Sequence, residues 1–503
     1  MDKKKFILSL DQGTTSCRAI LFDQAGQSVS RSQQSIKQSY PQPGWVEHDP
    51  DEILRQQIAV MQDAVAQADI EPAQIAGIGI ANQRETLVVW EKNSGRPICP
   101  AIVWQCRRTA DICASLAKDE VFAGQIRDKT GLLIDAYFSA TKLMWVLDHV
   151  SGARGKAVKG ELMAGTIDTW LIWHLSGREA HVTDASNAAR TMLFNIHDGC
   201  WDKDILSALD IPEVILPKVV PSSGIAATLD PAILPGQIPI AGIAGDQQAA
   251  LFGQTCFEKG MTKNTYGTGC FILMYTGHAP MQSQNRLLTT VAWDIGRGLE
   301  YALEGSVFNA GSAIQWLRDN LGLFDKSSEC DRLAEQVADT GGVTFVPAFT
   351  GLGAPHWDMQ ARGMFTGLTR GTGREHLARA VLEAIVHQSQ DILACMQADA
   401  DIKMPVLHVD GGASVSDVMM QFQADMSGIT VDRPQAIETT AFGAACLAGL
   451  AVGIWPDLES LRQIRRSDRL FQAGMDQKEK EKRRTMWQQA IVTAMEHGRR
   501  SVR

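Results

Sequence analysis

Asp11 stands at the mouth of a Gly13-Thr14-Thr15-Ser16 turn between two apolar runs, FILSL and AILF, and Arg18 follows on the second run. A strand–turn–strand of this kind presents backbone N–H groups and hydroxyls that can cradle an anion. An acid beside such a cradle repels phosphate unless a hard divalent cation, usually Mg²⁺, lies between them. Arg18 could supply positive charge to a transferring phosphoryl group. Taken alone, the stretch reads equally well as an ordinary β-turn capped by an aspartate. A second turn, Gly267-Thr268-Gly269 in MTKNTYGTGCFILMY, echoes the first. Two such hairpins point to phosphates gripped from both sides of a cleft.

Asp246, in AGIAGDQQAALFGQ, sits where a buried strand gives way to a helix. It reads either as a helix N-cap or as a carboxylate facing the cleft that takes a proton from a substrate hydroxyl. Arg84 and Glu85, in ANQRETLVVW, are adjacent opposite charges embedded in apolar sequence. Side by side they offer donors and an acceptor to neighbouring hydroxyls, which suits a small polyol. Trp104 and Tyr137 are core aromatics, or else the apolar wall and orienting hydroxyl that a polyol site needs. Gly411-Gly412 in LHVDGGAS lets a backbone approach a ligand closely, or simply turns a strand into a helix. The motif GxxxxGK[ST] is absent, and both Gly77-Ile78-Gly79 and Gly267-Thr268-Gly269 lack the third glycine of a dinucleotide fingerprint.

Elements able to position these residues alternate between strand and helix. After the opening hairpin, Asp49-Pro50 starts a helix and Ile75–Ala81 reads as a strand. TIDTWLIWHLSG reads as a short amphipathic helix closed by Gly177, and IPIAGIAG as a buried strand feeding the helix QQAALFGQ. The second half repeats the alternation, with a join near Gly253 to Gly260. This is α/β organisation in two lobes.

At 503 residues, two or more domains are expected. The net charge of −9 (48 basic against 57 acidic residues) argues against a general nucleic-acid partner. The basic start MDKKK is followed by too short an apolar run for a signal peptide. Thr439–Pro456, rich in Ala and Gly, fits a closely packed core helix better than a membrane span. The ten cysteines contain no CxxC pair, and Cys99, Cys106 and Cys113 lack the partners of a zinc site, which fits reduced thiols in a cytoplasmic protein. The charged C-terminal run before Trp487, with Glu479 and Glu481 among its basic residues, reads as a solvated helix face.

Together, DQGTTS, GWVEHDP, NQRET, YFSATKLMWVLDH, GDQQAALFGQ, NTYGTGCF and GMFTGLTRGTGREHLARAVLE resemble the glycerol kinases of the FGGY carbohydrate kinase family, in the actin/hexokinase-like superfamily. The similarity runs through nearly the whole chain. It implies two ribonuclease-H-like, actin-like ATPase lobes, residues 1–253 and 254–503, with the active site in the cleft between them. It also implies ATP and Mg²⁺, conversion of glycerol to sn-glycerol 3-phosphate, and a homodimer or homotetramer. By position, Arg84, Glu85, Tyr137, Asp246 and Gln247 would bind glycerol hydroxyls, with Trp104 and Phe271 flanking its carbons. Asp246 would be the general base, and Asp11, through water, and Asp246 would meet the metal. Thr14, Thr15, Ser16 and Arg18 would hold the phosphates from one lobe and Thr268 from the other. Gly311, Gln315, Gly412 and Ser416 would line the nucleotide pocket. Three departures stand out. Ser416 replaces a common Asn, Ala136 replaces a Pro that would stiffen the loop before Tyr137, and Gln237 in AILPGQIPI replaces an Arg used by some relatives to bind fructose 1,6-bisphosphate. Weak or absent inhibition by that compound is expected. A family kinase acting on a ketopentose or sugar acid would differ at Arg84-Glu85. An actin- or chaperone-like ATPase would lack the aromatic-lined polyol constellation.

Overall fold

The computed structural model describes residues 5–501, so the first four residues of the basic start lie outside it. Strands β1 (Phe6–Gln12) and β2 (Ser16–Phe22) pair antiparallel around the first turn and set Asp11 directly opposite Arg18. β3 (Ser28–Ser35) extends the meander. Helix α1 (Pro50–Gln67) starts as the sequence predicts: the Asp49 carboxylate accepts from Asp51 N, and Pro50 occupies a position whose N–H has no helical partner. β4 (Ile75–Asn82) runs parallel to β1. A long excursion then carries α2 (Ser139–His149), α3 (Ile167–Leu175) and the single turn α4 (Ala185–Ala188). β5 (Ser223–Thr228) and β6 (Pro239–Gly245) complete a six-stranded sheet in the order β5-β6-β4-β1-β2-β3, and α5 (Asp246–Gly253) leaves the end of β6.

The second half repeats this plan. β7 (Thr262–Tyr266) and β8 (Cys270–Gly277) form the second hairpin, joined by β9 (Leu288–Asp294), β10 (Leu299–Val307), β11 (Leu407–Asp410), β12 (Val431–Pro434) and β13 (Ser467–Phe471). The order is β9-β10-β8-β7-β11-β12-β13. In both sheets the first hairpin strand is flanked by its antiparallel partner on one side and two successive parallel strands on the other. The helices of this half include α6 (Gly311–Asp319), α7 (Arg374–Ala400), α8 (Asp417–Ser427), α9 (Thr439–Ala451) and α10 (Gln477–Ser501). Two α/β lobes, each opening on a Gly/Thr hairpin, are thus present.

Two expectations need correction. α3 forms and Gly177 follows it in a left-handed conformation (φ +67°), but the helix is buried nearly all round rather than amphipathic. It packs both on α1, where Trp170 Nε1 donates to Pro50 O, and on the Trp90 ring. The C-terminal run is only partly solvated. Lys478 and Lys482 are exposed, but Arg483 turns inward to Glu383 on α7 at 2.8 Å. Beyond the charged run the helix docks on the second lobe, with Trp487, Ile491 and Ala494 buried and Trp487 stacked on His387.

The Ala/Gly-rich run is the core helix α9; among the described residues no helix is long and apolar enough to cross a membrane. Although α9 follows β12 of the second sheet, it lies on the first sheet and crosses α5. Small residues make that approach possible. A Cβ at Gly79 would run into Ala444 O, one at Gly242 would meet Ala448 N, and one at Gly443 would run into Ala249 O. The Gly77-Ile78-Gly79 pair therefore serves helix-on-sheet contact. Gly443→Ala should destabilise the protein by about 1–3 kcal/mol in chemical denaturation through overpacking. Gly155→Ala, on a short exposed helix with open space around it, should be neutral or stabilising by up to about 1 kcal/mol.

Candidate active site

Strand ends and one helix start converge between the two hairpins. Beyond β4 the chain carries Arg84 and Glu85 inward, with Glu85 in a left-handed conformation (φ +58°). That conformation costs of order 1–3 kcal/mol for a non-glycine residue and persists only where its surroundings fix it. Here Lys142 Nζ donates to Glu85 O at 3.1 Å and to Tyr137 O at 2.6 Å, and Ser139 Oγ donates to the same Glu85 carbonyl. Asp246 opens α5 as its first residue, and the N-cap role falls to Gly245. The Asp246 carboxylate accepts from Gln247 N at 2.7 Å, lies 3.2 Å from Arg84 Nε and keeps 28% of its side chain exposed. Gly245 N donates to Ser186 Oγ, and a Cβ there would press on the Arg84 side chain.

Trp104, Tyr137 and Phe271 meet edge to face, with ring centroids 5.6 and 6.2 Å from Trp104. Arg84 stands 5.9 Å from the Phe271 ring and Arg190 stands 5.7 Å from that of Tyr137. Trp104 Nε1 donates to Thr14 Oγ1 at 2.9 Å, tying the aromatic wall to the first hairpin. The loop before Tyr137 is held without proline. Asp135 accepts from Tyr137 N and pairs bidentately with Arg107.

Beneath the wall lies a buried charge network. Glu304 on β10 accepts from Arg84 Nη1 (2.5 Å) and Nη2 (3.1 Å) and from Arg190 Nη2 (2.9 Å). Arg190 Nε donates to Glu85 Oε1 at 2.7 Å. Burial alone would raise the Glu304 carboxyl, but Arg190 and Arg84 hold it down at about 2. Glu85, with a single close guanidinium bond, is instead pushed up by burial against the pull of Arg84 and Arg190. Burial also raises Asp246, opposed by Arg84 and Lys263, and raises Asp11, opposed by Arg18. Lys263 is fully buried on β7, and burial brings its ammonium down to about 8; it donates to Gln247 Oε1 and Thr265 Oγ1.

The structure thus gathers Asp11, Thr14, Arg84, Glu85, Trp104, Tyr137, Asp246, Gln247 and Phe271. Arg18 lies 3.8 Å from Asp11 and is drawn to Glu438, the residue before α9, so its guanidinium bridges the lobes rather than standing free. Ser16 Oγ accepts from Gln33, while Thr15 and Thr268 are exposed at the hairpin tips. The start of α6 docks on the second hairpin: Gly311 N donates to Gly267 O, and a Cβ there would meet that oxygen at 2.6 Å. Gln315 and Gly412 are exposed. Ser416 is buried, caps α8 through Met419 N and donates to Asp331, so its hydroxyl is already committed. Sequence reasoning missed Glu304, Arg190, Lys263 and Lys142. The signal used for Arg84, a charge embedded in apolar sequence, is also present at Glu304 in YALEGSVF and Arg190 in ASNAARTMLF.

Residues 6–253 match the N-terminal domain, and residues 262–452 the C-terminal domain, of the FGGY family of carbohydrate kinases. The chain belongs to this family. Among curated FGGY relatives, "Glycerol kinase 2" of Thermotoga maritima is 55% identical over 98% of this chain and 99% of its own length. The glycerol kinase of Caldanaerobacter subterraneus subsp. tengcongensis is 56% identical with the same coverage. A crystal structure of Plasmodium falciparum glycerol kinase with ADP superposes with a TM-score of 0.91, at 35% identity and 98% coverage of both chains. A xylulose kinase from Lactobacillus acidophilus shares the fold (TM-score 0.86) at 24% identity, over 97% of each chain.

The donor set also bears on a metal in this FGGY site. Among the described residues, no three His, Cys, Asp or Glu side chains gather to form a cage. Asp11 and Asp246 lie close enough for the charge of Asp11 to add to the upward push on Asp246. A cation held by one or two carboxylates, waters and substrate phosphates is the arrangement Mg²⁺ favours, and Asp11 fits it. An acid whose pKa is raised by folding opposes stability once ionised: its contribution is complete below the ordinary Asp value and is lost as pH rises through the folded one. Asp246→Asn should therefore raise the melting temperature at pH 7, as thermal unfolding of the two proteins would register.

Proposed function

We propose that this chain transfers the γ-phosphoryl group of ATP to glycerol, yielding sn-glycerol 3-phosphate and ADP. The observation that carries this reading is the Arg84–Asp246 contact at 3.2 Å, beside Glu85 and walled by Trp104, Tyr137 and Phe271. Two carboxylates and a guanidinium meet hydroxyls there, and three aromatic rings meet C–H faces. The names of the full-length relatives agree.

In this mechanism, Glu85, Arg84 and Tyr137 orient glycerol, with Gln247 held close by Lys263. Asp246 takes the proton of the terminal hydroxyl as its oxygen bonds to the γ-phosphorus, while the bond from that phosphorus to the β-phosphate bridge oxygen breaks and ADP leaves. Thr15 and Thr268, on opposing tips, meet the phosphates, with Thr14 and Ser16 behind them and Arg18 able to leave Glu438. Gly311 keeps the α6 start close to the second tip, and with Gln315, Gly412 and Ser416 it would line the nucleotide pocket. Mg²⁺, when held by Asp11 through water and near Asp246, offsets phosphate charge. Closure of the lobes excludes water that would otherwise accept the phosphoryl group. The reading divides the lobes at residues 253 and 254. Unpaired thiols fit a reducing cytoplasm, and a homodimer or homotetramer is the expected assembly.

The test is ADP release from Mg-ATP with glycerol, xylulose or no acceptor, with the product identified. Strong glycerol-dependent release of ADP with glycerol 3-phosphate formed is expected; release driven by xylulose would move the specificity, and hydrolysis indifferent to acceptor would overturn the reading. Asp246→Asn should lower kcat by roughly 10²–10⁴ while leaving glycerol binding in place. Fructose 1,6-bisphosphate should inhibit weakly or not at all in an activity titration, because exposed Gln237 stands where an arginine would hold the anion.

A further inference from the structure

The acceptor-facing residues of the first lobe are held by a residue of the second. Glu304, on β10, is fully buried and receives three N–H bonds from two guanidiniums of the other lobe. Arg84 spends both η nitrogens on Glu304, which leaves its Nε edge turned to Asp246 at 3.2 Å and to Glu85 at 3.8 Å. Arg190 spends Nη2 on Glu304 and Nε on Glu85, and its Nη1 is buried without a hydrogen-bond partner. Guanidiniums prefer planar, two-pronged contact with carboxylates. Released from Glu304, both would turn that fork on Glu85 and Asp246, the carboxylates meant for hydroxyls.

We propose that Glu304 is a positioning residue for acceptor specificity: by occupying the forks of Arg84 and Arg190, it keeps carboxylate oxygens of Glu85 and Asp246 free to read adjacent hydroxyls. The acceptor site of the first lobe is then complete only with β10 of the second lobe against it. This inference rests on reading Arg84, Glu85 and Asp246 as the polyol site. It concerns recognition of the acceptor, so it predicts an effect on glycerol that ATP does not share. A site built to hydrogen-bond a hydroxyl rejects an analogue lacking it, and loses that discrimination when its polar groups satisfy one another instead.

The experiment compares wild type, Glu304→Gln and Arg190→Lys. Glutamine keeps the shape and removes the charge; lysine keeps a cation that can reach only one of Glu304 and Glu85. Circular dichroism and thermal unfolding establish that each variant is folded, and Arg190→Lys carries the test if Glu304→Gln does not fold. Expected are a rise of about tenfold or more in KM for glycerol with KM for ATP within about twofold of wild type. The preference in kcat/KM for glycerol over 1,3-propanediol, which lacks the middle hydroxyl, should fall by about tenfold or more. A folded variant with unchanged KM for glycerol and unchanged preference would overturn the proposal. Equal rises in both KM values, or a loss of kcat matching only the unfolded fraction, would do the same. Wild type without glycerol-dependent turnover would instead bring down the proposed function on which the inference rests.

Discussion

The site depends on charge balance inside a nearly dry interlobe space. Arg84, Arg190, Glu85 and Glu304 form one connected ionic cluster with side-chain exposures of 2% or less. Removing one member of such a group strands its partner in a medium that solvates charge poorly. The cluster's uneven distribution also matters: Glu304 receives three guanidinium N–H bonds and Glu85 one, so one carboxylate is saturated and the other retains acceptor capacity. Two acids within the same cluster are thereby given different numbers of guanidinium partners.

The hairpins at the site's rim are joined to this cluster rather than merely placed near it. The Trp104–Thr14 hydrogen bond links the acceptor wall to the first hairpin, and the Arg18–Glu438 pair links that hairpin to the start of α9. Lys263 and Phe271 belong to the second hairpin and touch the acceptor side directly, through Gln247 and Trp104. Both tips thus share a frame with the residues that would meet an alcohol.

Local chemistry made much of this legible in the sequence. Asp49-Pro50 marked a helix start, the Gly/Thr turns marked two hairpins, and Arg84-Glu85 stood out because paired charges are rare in apolar sequence. Helix α3 reads as amphipathic in sequence, but the fold covers it nearly all round, with Trp170 and Trp173 on one face both against the Trp90 ring. Glu304 was missed for a different reason. A single acid in a strand announces nothing until the fold sets against it two arginines from separate segments, 220 and 114 residues earlier. Ser416 shows the opposite case: the residue type suits a ligand, and in this structure its hydroxyl donates to Asp331 while capping α8.

The placement of α9 has a consequence for biosynthesis. Ile7, Ile20, Ala76 and Ala241 of the first sheet share a buried cluster with Ala444, Ala445 and Ala448, which are translated some two hundred residues after that sheet ends. At typical synthesis rates, about 10–40 s separate the emergence of the sheet from that of its cover. During that interval α5, through Ala249, Leu251 and Phe252, covers only part of the apolar face that α9 later completes. A chain cut between the lobes leaves the first half without part of its own core.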